Sequence, residues 1–70
     1  MKTQIIDKQA KLEEHLSVID FKCHIRHYVG KIKIMNKDTK QMYDHVIHYL
    51  QENDYSFEIL QNNKILVKFI

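Results

Sequence analysis

Apolar residues recur along the chain with two different periods, and the switches between them divide it into four segments. At about 100° per residue, Ile5, Leu12, Leu16 and Ile19 fall within roughly 60° of arc. Gln9 lies on the same side, and Asp7, Lys8, Lys11, Glu13 and Glu14 occupy the rest. This predicts an amphipathic helix, with Thr3 or Asp7 as N-cap and an end near Ile19. An alternative makes Lys2–Ile6 a short strand and starts the helix at Asp7.

From Phe21 to Met35 the period becomes two. Phe21, Cys23, Ile25 and His27 alternate with Lys22, His24, Arg26 and Tyr28; Ile32 and Ile34 alternate with Lys31, Lys33 and Met35. A two-residue Val29-Gly30 turn, with Gly30 taking a positive φ, sets Ile25 opposite Ile34 and His27 opposite Ile32. It also sets Arg26 opposite Lys33 and Tyr28 opposite Lys31, so the faces agree across the hairpin. A second helix follows, capped by Asp38 or Asn36, with Met42, Val46, Tyr49 and Leu50 as its stripe and an end near Asn53-Asp54. Tyr55, Phe57 and Ile59, then Ile65, Val67 and Phe69, predict two more strands. A three-residue loop over Gln61, Asn62 and Asn63, with left-handed Asn, places both sets on one face.

The expected fold is a small two-layer α+β sandwich in the order α-β-β-α-β-β, an antiparallel sheet of about four strands with both helices on one face. If Lys2–Ile6 is a strand, a ferredoxin-like βαββαβ core becomes possible. No internal sequence repeat or linker is visible, and residues 1–70 read as one small domain. With 44% hydrophobic and 29% charged residues, one Gly and no Pro, the composition argues against disorder. A chain this short has only a thin core. The single Cys23 excludes an intrachain disulfide and paired-cysteine zinc frameworks, and a cytoplasmic setting fits. Neither a signal peptide nor a membrane span is expected.

The net charge of +2 conceals a segregation. Three Lys and four acids give −1 over residues 1–20, and two Lys against four acids give −2 over residues 36–54. Residues 21–35 carry Lys22, Arg26, Lys31 and Lys33 with no acid, and residues 55–70 give +1. The hairpin register puts those four cations on the face away from the helices, with His24 and Tyr28 beside them. Arg26 opposite Lys33 is an unfavourable like-charge pair; relief would come from Glu58 on a neighbouring strand or from a bound anion.

The C-terminal register turns Leu60, Leu66 and Ile70 outward beside Lys68, which suggests burial against a partner or a second copy. If Lys64–Ile70 is instead a central strand, its own chain covers part of this set. The leading expectation is a non-catalytic binding or regulatory protein that meets an acidic protein surface, with a homodimer possible. The alternative is RNA or single-stranded DNA, with phosphates on the cations and a base stacked on Tyr28. Catalytic and metal readings are weaker. Cys23, His24, His27, His45 and His48 do not share a face, so no metal or cofactor is expected. Asp44 and His48 form a surface pair without a nucleophile. His27 as the base of a small ribonuclease would need Arg26 and Lys33 nearby, yet it points inward. Cys23 faces the core as a small hydrophobe.

Overall fold

The computed structural model describes residues 2–69, with side chains from residue 7 onward. Ile70 therefore lies outside the described residues, as does the side chain of Ile5. The elements are α1 (Lys2–Val18), β1 (Cys23–Tyr28), β2 (Lys31–Asn36), α2 (Lys40–Glu52), β3 (Ser56–Leu60) and β4 (Lys64–Lys68). This is the expected α+β order. The four strands form one antiparallel sheet in the order β1-β2-β4-β3.

Both hairpins adopt the predicted registers. Ile25 faces Ile34 and Arg26 faces Lys33 across a turn in which Gly30 has φ 71°. Ile59 faces Ile65 and Phe57 faces Val67 across Gln61–Asn63, where Asn62 and Asn63 have φ 62° and 60°. Ile32 and Ile34 on β2 and Ile65 and Val67 on β4 are fully buried, against Leu12 and Leu16 of α1 and Val46 and Leu50 of α2. Both helices thus cover the same sheet face. β4 is central, and among the described residues no element covers its other face.

Two expectations about helix starts are corrected. α1 is already helical at Lys2, so neither Thr3 nor Asp7 caps it, and Lys2–Ile6 is not a strand. The ferredoxin-like alternative falls with it. A terminal strand would need a sheet edge for its hydrogen bonds, whereas a longer helix makes them within itself. The cap of α2 is Thr39, whose hydroxyl accepts from the Met42 N–H at 3.2 Å. Asp38 is otherwise engaged. Its carboxylate accepts from the Lys22 N–H at 2.9 Å and the Thr39 N–H at 2.7 Å, tying the start of β1 to the start of α2.

The structure contains a repeat that the sequence pattern did not reveal. Each half is a helix followed by a hairpin, and both helices end alike. Asp20 and Asp54 take left-handed backbone at φ 55° and 58°. The next residue donates back five positions, Phe21 to the Leu16 carbonyl at 2.9 Å and Tyr55 to the Leu50 carbonyl at 3.0 Å. These are Schellman ends whose following aromatic is buried in the core. The β2–β4 pairing is symmetric about Lys33↔Leu66. Matching bonds close its two ends, Asn36 N–H to the Asn63 carbonyl at 3.0 Å and Phe69 N–H to the Gly30 carbonyl at 2.8 Å. The topology is a pair of αββ units with an approximate two-fold relationship through the sheet centre.

Truncations on the two sides of β4 and its helix should separate core from open face. Leu50→Ala should cost about 2–5 kcal/mol in urea unfolding. Leu66→Ala, on the uncovered face, should cost less than about 1 kcal/mol.

Candidate binding face

Alternation fixes what the uncovered face carries. Its rows, read from β1 through β2 and β4 to β3, are Tyr28–Lys31–Lys68–Ser56, Arg26–Lys33–Leu66–Glu58 and His24–Met35–Lys64–Leu60. Five cations share the face with one carboxylate, Glu58. The other eight acidic residues of the sequence lie elsewhere, so a chain of net charge +2 presents +4 on one surface.

His24, Arg26, Tyr28, Lys31, Lys33, Leu60, Leu66 and Lys68 all stand on this face as expected. Lys22 does not join the strand ladder: it precedes β1, with its N–H held by Asp38. Met35 and Lys64 complete the face; each is turned outward by its own hairpin's register, though neither was a candidate from the sequence, and the pairing that sets Met35 beside Lys64 is not written in either hairpin alone. One signal was present. Lys64-Ile65-Leu66-Val67 follows a left-handed Asn as Lys31-Ile32-Lys33-Ile34 follows left-handed Gly30.

Glu58 does not relieve the Arg26–Lys33 pair. It is two strands away from Lys33, beyond Leu66, and its carboxylate lies 3.6 Å from the Lys68 ammonium. Among the described residues no carboxylate pairs with Arg26 or Lys33. The Lys33 ammonium instead lies 5.7 Å from the centroid of the Tyr28 ring, a cation–π contact that offsets little of the repulsion at an exposed site. Tyr28 remains 42% exposed. Tyr28, Lys31, Lys33, Leu66 and Leu60 line a hollow of about 310 Å³. Two leucines and a tyrosine thus share its lining with two lysines.

The tempting constellations come apart. His27 lies on the helix side of β1, with Arg26 and Lys33 on the other face. Its Nε2 is 3.3 Å from Glu13 Oε2, and although it points to the helix side it is exposed, because β1 is an edge strand. Asp44 pairs with Lys40 at 3.2 Å, and His48 with Glu52 at 3.1 Å, so Asp44 and His48 do not form the expected pair. Among the described residues no three His, Cys, Asp or Glu side chains gather closely enough to hold a metal. Cys23 is half-buried, and burial, with Asp38 nearby, pushes its thiol pKa up and away from the reactive thiolate.

A histidine cluster joins the helices instead. His15 of α1 stacks on Tyr49 of α2 at 3.7 Å between ring centroids, and on His45 at 5.6 Å. Its Nε2 is buried without a hydrogen-bond partner. Burial and then the neighbouring His45 lower the His15 pKa.

Compared with known protein families, curated proteins and solved structures, the chain matches none. Among the described residues no helix is long and apolar enough to cross a membrane.

Because the folded chain holds His15 below its ordinary value of 6.5, the unfolded chain takes up that proton first. Stability from this site is complete above that value and is lost as pH falls through the folded one. Urea midpoints should drop between about pH 7 and pH 5. His15→Phe, which keeps a ring against Tyr49 but cannot protonate, should flatten that decline; an unaltered slope would remove His15 as its source.

Proposed function

We propose that this chain is a non-catalytic binding protein that engages an acidic surface of another protein through the open face of its sheet. The observation that carries the reading is the segregation of charge around an apolar hollow. Five cations and one acid surround Leu60 and Leu66, while the remaining acids lie off this face. A merely solvated sheet face gains nothing from setting Arg26 against Lys33 with no acid between them. An acidic partner turns that repulsion into attraction, and the leucines add area that exposed ion pairs alone do not supply. Occupying a partner's acidic surface suits an inhibitor or modulator, and a lone unpaired cysteine suits a reducing cytoplasm. The outward leucines also make a homodimer available.

Single-stranded nucleic acid is the second reading, favoured by Tyr28 standing exposed between Lys31 and Lys33. Two features weigh against it. The face offers one aromatic where a sheet-based RNA reader stacks two or three bases, and Glu58 would repel a phosphate chain. Capture on the tagged protein from host lysate, run in parallel with and without nuclease, should retain a protein partner in both. Lys33→Glu should weaken that retention by about tenfold or more, while Lys40→Glu on the helix layer leaves it unchanged. Retention of nucleic acid alone, with affinity falling several log units per decade of salt, would overturn the protein reading.

A further inference from the structure

The open face is not flat. Strand twist turns a sheet into a saddle, and the hollow follows one diagonal, from Tyr28 on edge strand β1 past Lys31, Lys33 and Leu66 to Leu60 on edge strand β3. Strand spacing of about 4.8 Å and a rise of about 3.4 Å per residue make that diagonal roughly 20 Å long.

The direction of the hollow restricts what can lie in it. An extended segment placed there would cross the strands obliquely instead of running alongside either sheet edge. Its N–H and C=O groups would lose water and find no ladder to join. A helix satisfies its own backbone, and roughly 20 Å corresponds to about 13 residues of helix. The same sheet already carries a helix of that length on its other face, α2 with 13 residues.

Charge sets the sign of the occupant. Lys31 and Lys33 line the hollow, with Arg26 and Lys64 in adjoining register positions. A helix seated there needs carboxylates flanking an apolar stripe. A second copy of this chain does not provide one among the described residues, since Leu12, Leu16, Val46 and Leu50 turn both helices' stripes into the core. A nucleic-acid strand would find a single aromatic platform there, Tyr28.

We infer that the diagonal hollow seats one acidic amphipathic helix of a partner protein, its apolar stripe on Tyr28, Leu66 and Leu60 and its carboxylates on Lys31, Lys33, Arg26 and Lys64. This rests on the acidic-partner reading above and adds the form of the bound element. It would add a third layer to the two that the described residues form.

The test is an NMR titration of the full chain with three probes. One is a stapled helix of about 14 residues with Leu at i, i+4 and i+7 and Glu on both flanks. The second is a stapled peptide of the same composition with the Leu scattered round the helix, and the third is a single-stranded oligouridylate. The first peptide should shift the amides of Tyr28, Lys33, Leu60 and Leu66 and bind at least tenfold more tightly than the scattered one. Leu66→Glu and, independently, Lys33→Gln should each weaken it severalfold or more, with cooperative unfolding of each variant showing that the fold persists. Equal binding of both peptides would overturn the helix seat while leaving the acidic-partner reading intact. Binding of the oligonucleotide alone would overturn both, and no shift with either peptide at millimolar concentration would overturn the helix seat.

Discussion

The way β2 meets β4 governs both the stability and the surface of this protein. Side chains alternate along a strand, so one pairing decides two faces at once. With Ile32 opposite Val67 and Ile34 opposite Ile65, four branched residues reach full burial beneath two helices. The same pairing obliges Lys31, Lys33, Lys64, Lys68 and Leu66 to face the other way. A one-residue slip would exchange core for cations, which a domain with so thin a core could not survive. The basic face is therefore the reverse side of the hydrophobic core and is held as rigidly.

That coupling explains why the charge can be segregated without undoing the fold. Lys33 stands on β2, anchored by the buried Ile32 and Ile34, and Arg26 stands on β1, whose half-buried Ile25 packs against that core, so the cost is carried by packing rather than relieved by a nearby acid. The connections reinforce this. Asp38 ties the start of β1 to the start of α2, and the amides of Lys22 and Thr39 hold its carboxyl below the ordinary carboxylate range. Two matching Schellman ends set the angle at which each helix hands the chain to its hairpin. The core, the turns and the connections thus hold the backbone beneath a lysine-lined hollow, and a pre-formed backbone loses less freedom on binding than one that must be ordered first.

What could be read from the sequence was local. Gly30 and the Gln61–Asn63 loop each determine a hairpin register, and from those registers the outward position of Arg26, Lys33, Leu60 and Leu66 follows. What could not be read depends on contacts between distant segments. The central place of β4 comes from pairing between hairpins, so the merging of two outward rows into one face, with Met35 beside Lys64, emerged only in three dimensions. Lys2–Ile6 carries a pattern that suits either a strand or a helix, and continuity with the following turns decides for helix. Asp38 carries a cap signature but is drawn away by the Lys22 amide, which leaves Thr39 to cap α2. His15 reads as one more polar helix position until Tyr49 and His45 from the second helix close over it.

If the open sheet face is the working surface of this protein, its lysines should be the ones that become hidden in the cell. Brief acetylation of intact host cells and of the purified chain, followed by site-by-site mass spectrometry, measures this without assuming a partner. The account predicts that Lys31, Lys33 and Lys64 react several times more slowly in cells than in the purified protein, while Lys11 and Lys40 on the helix layer react equally in both. Equal reactivity at all five, or protection confined to Lys11 and Lys40, would contradict it.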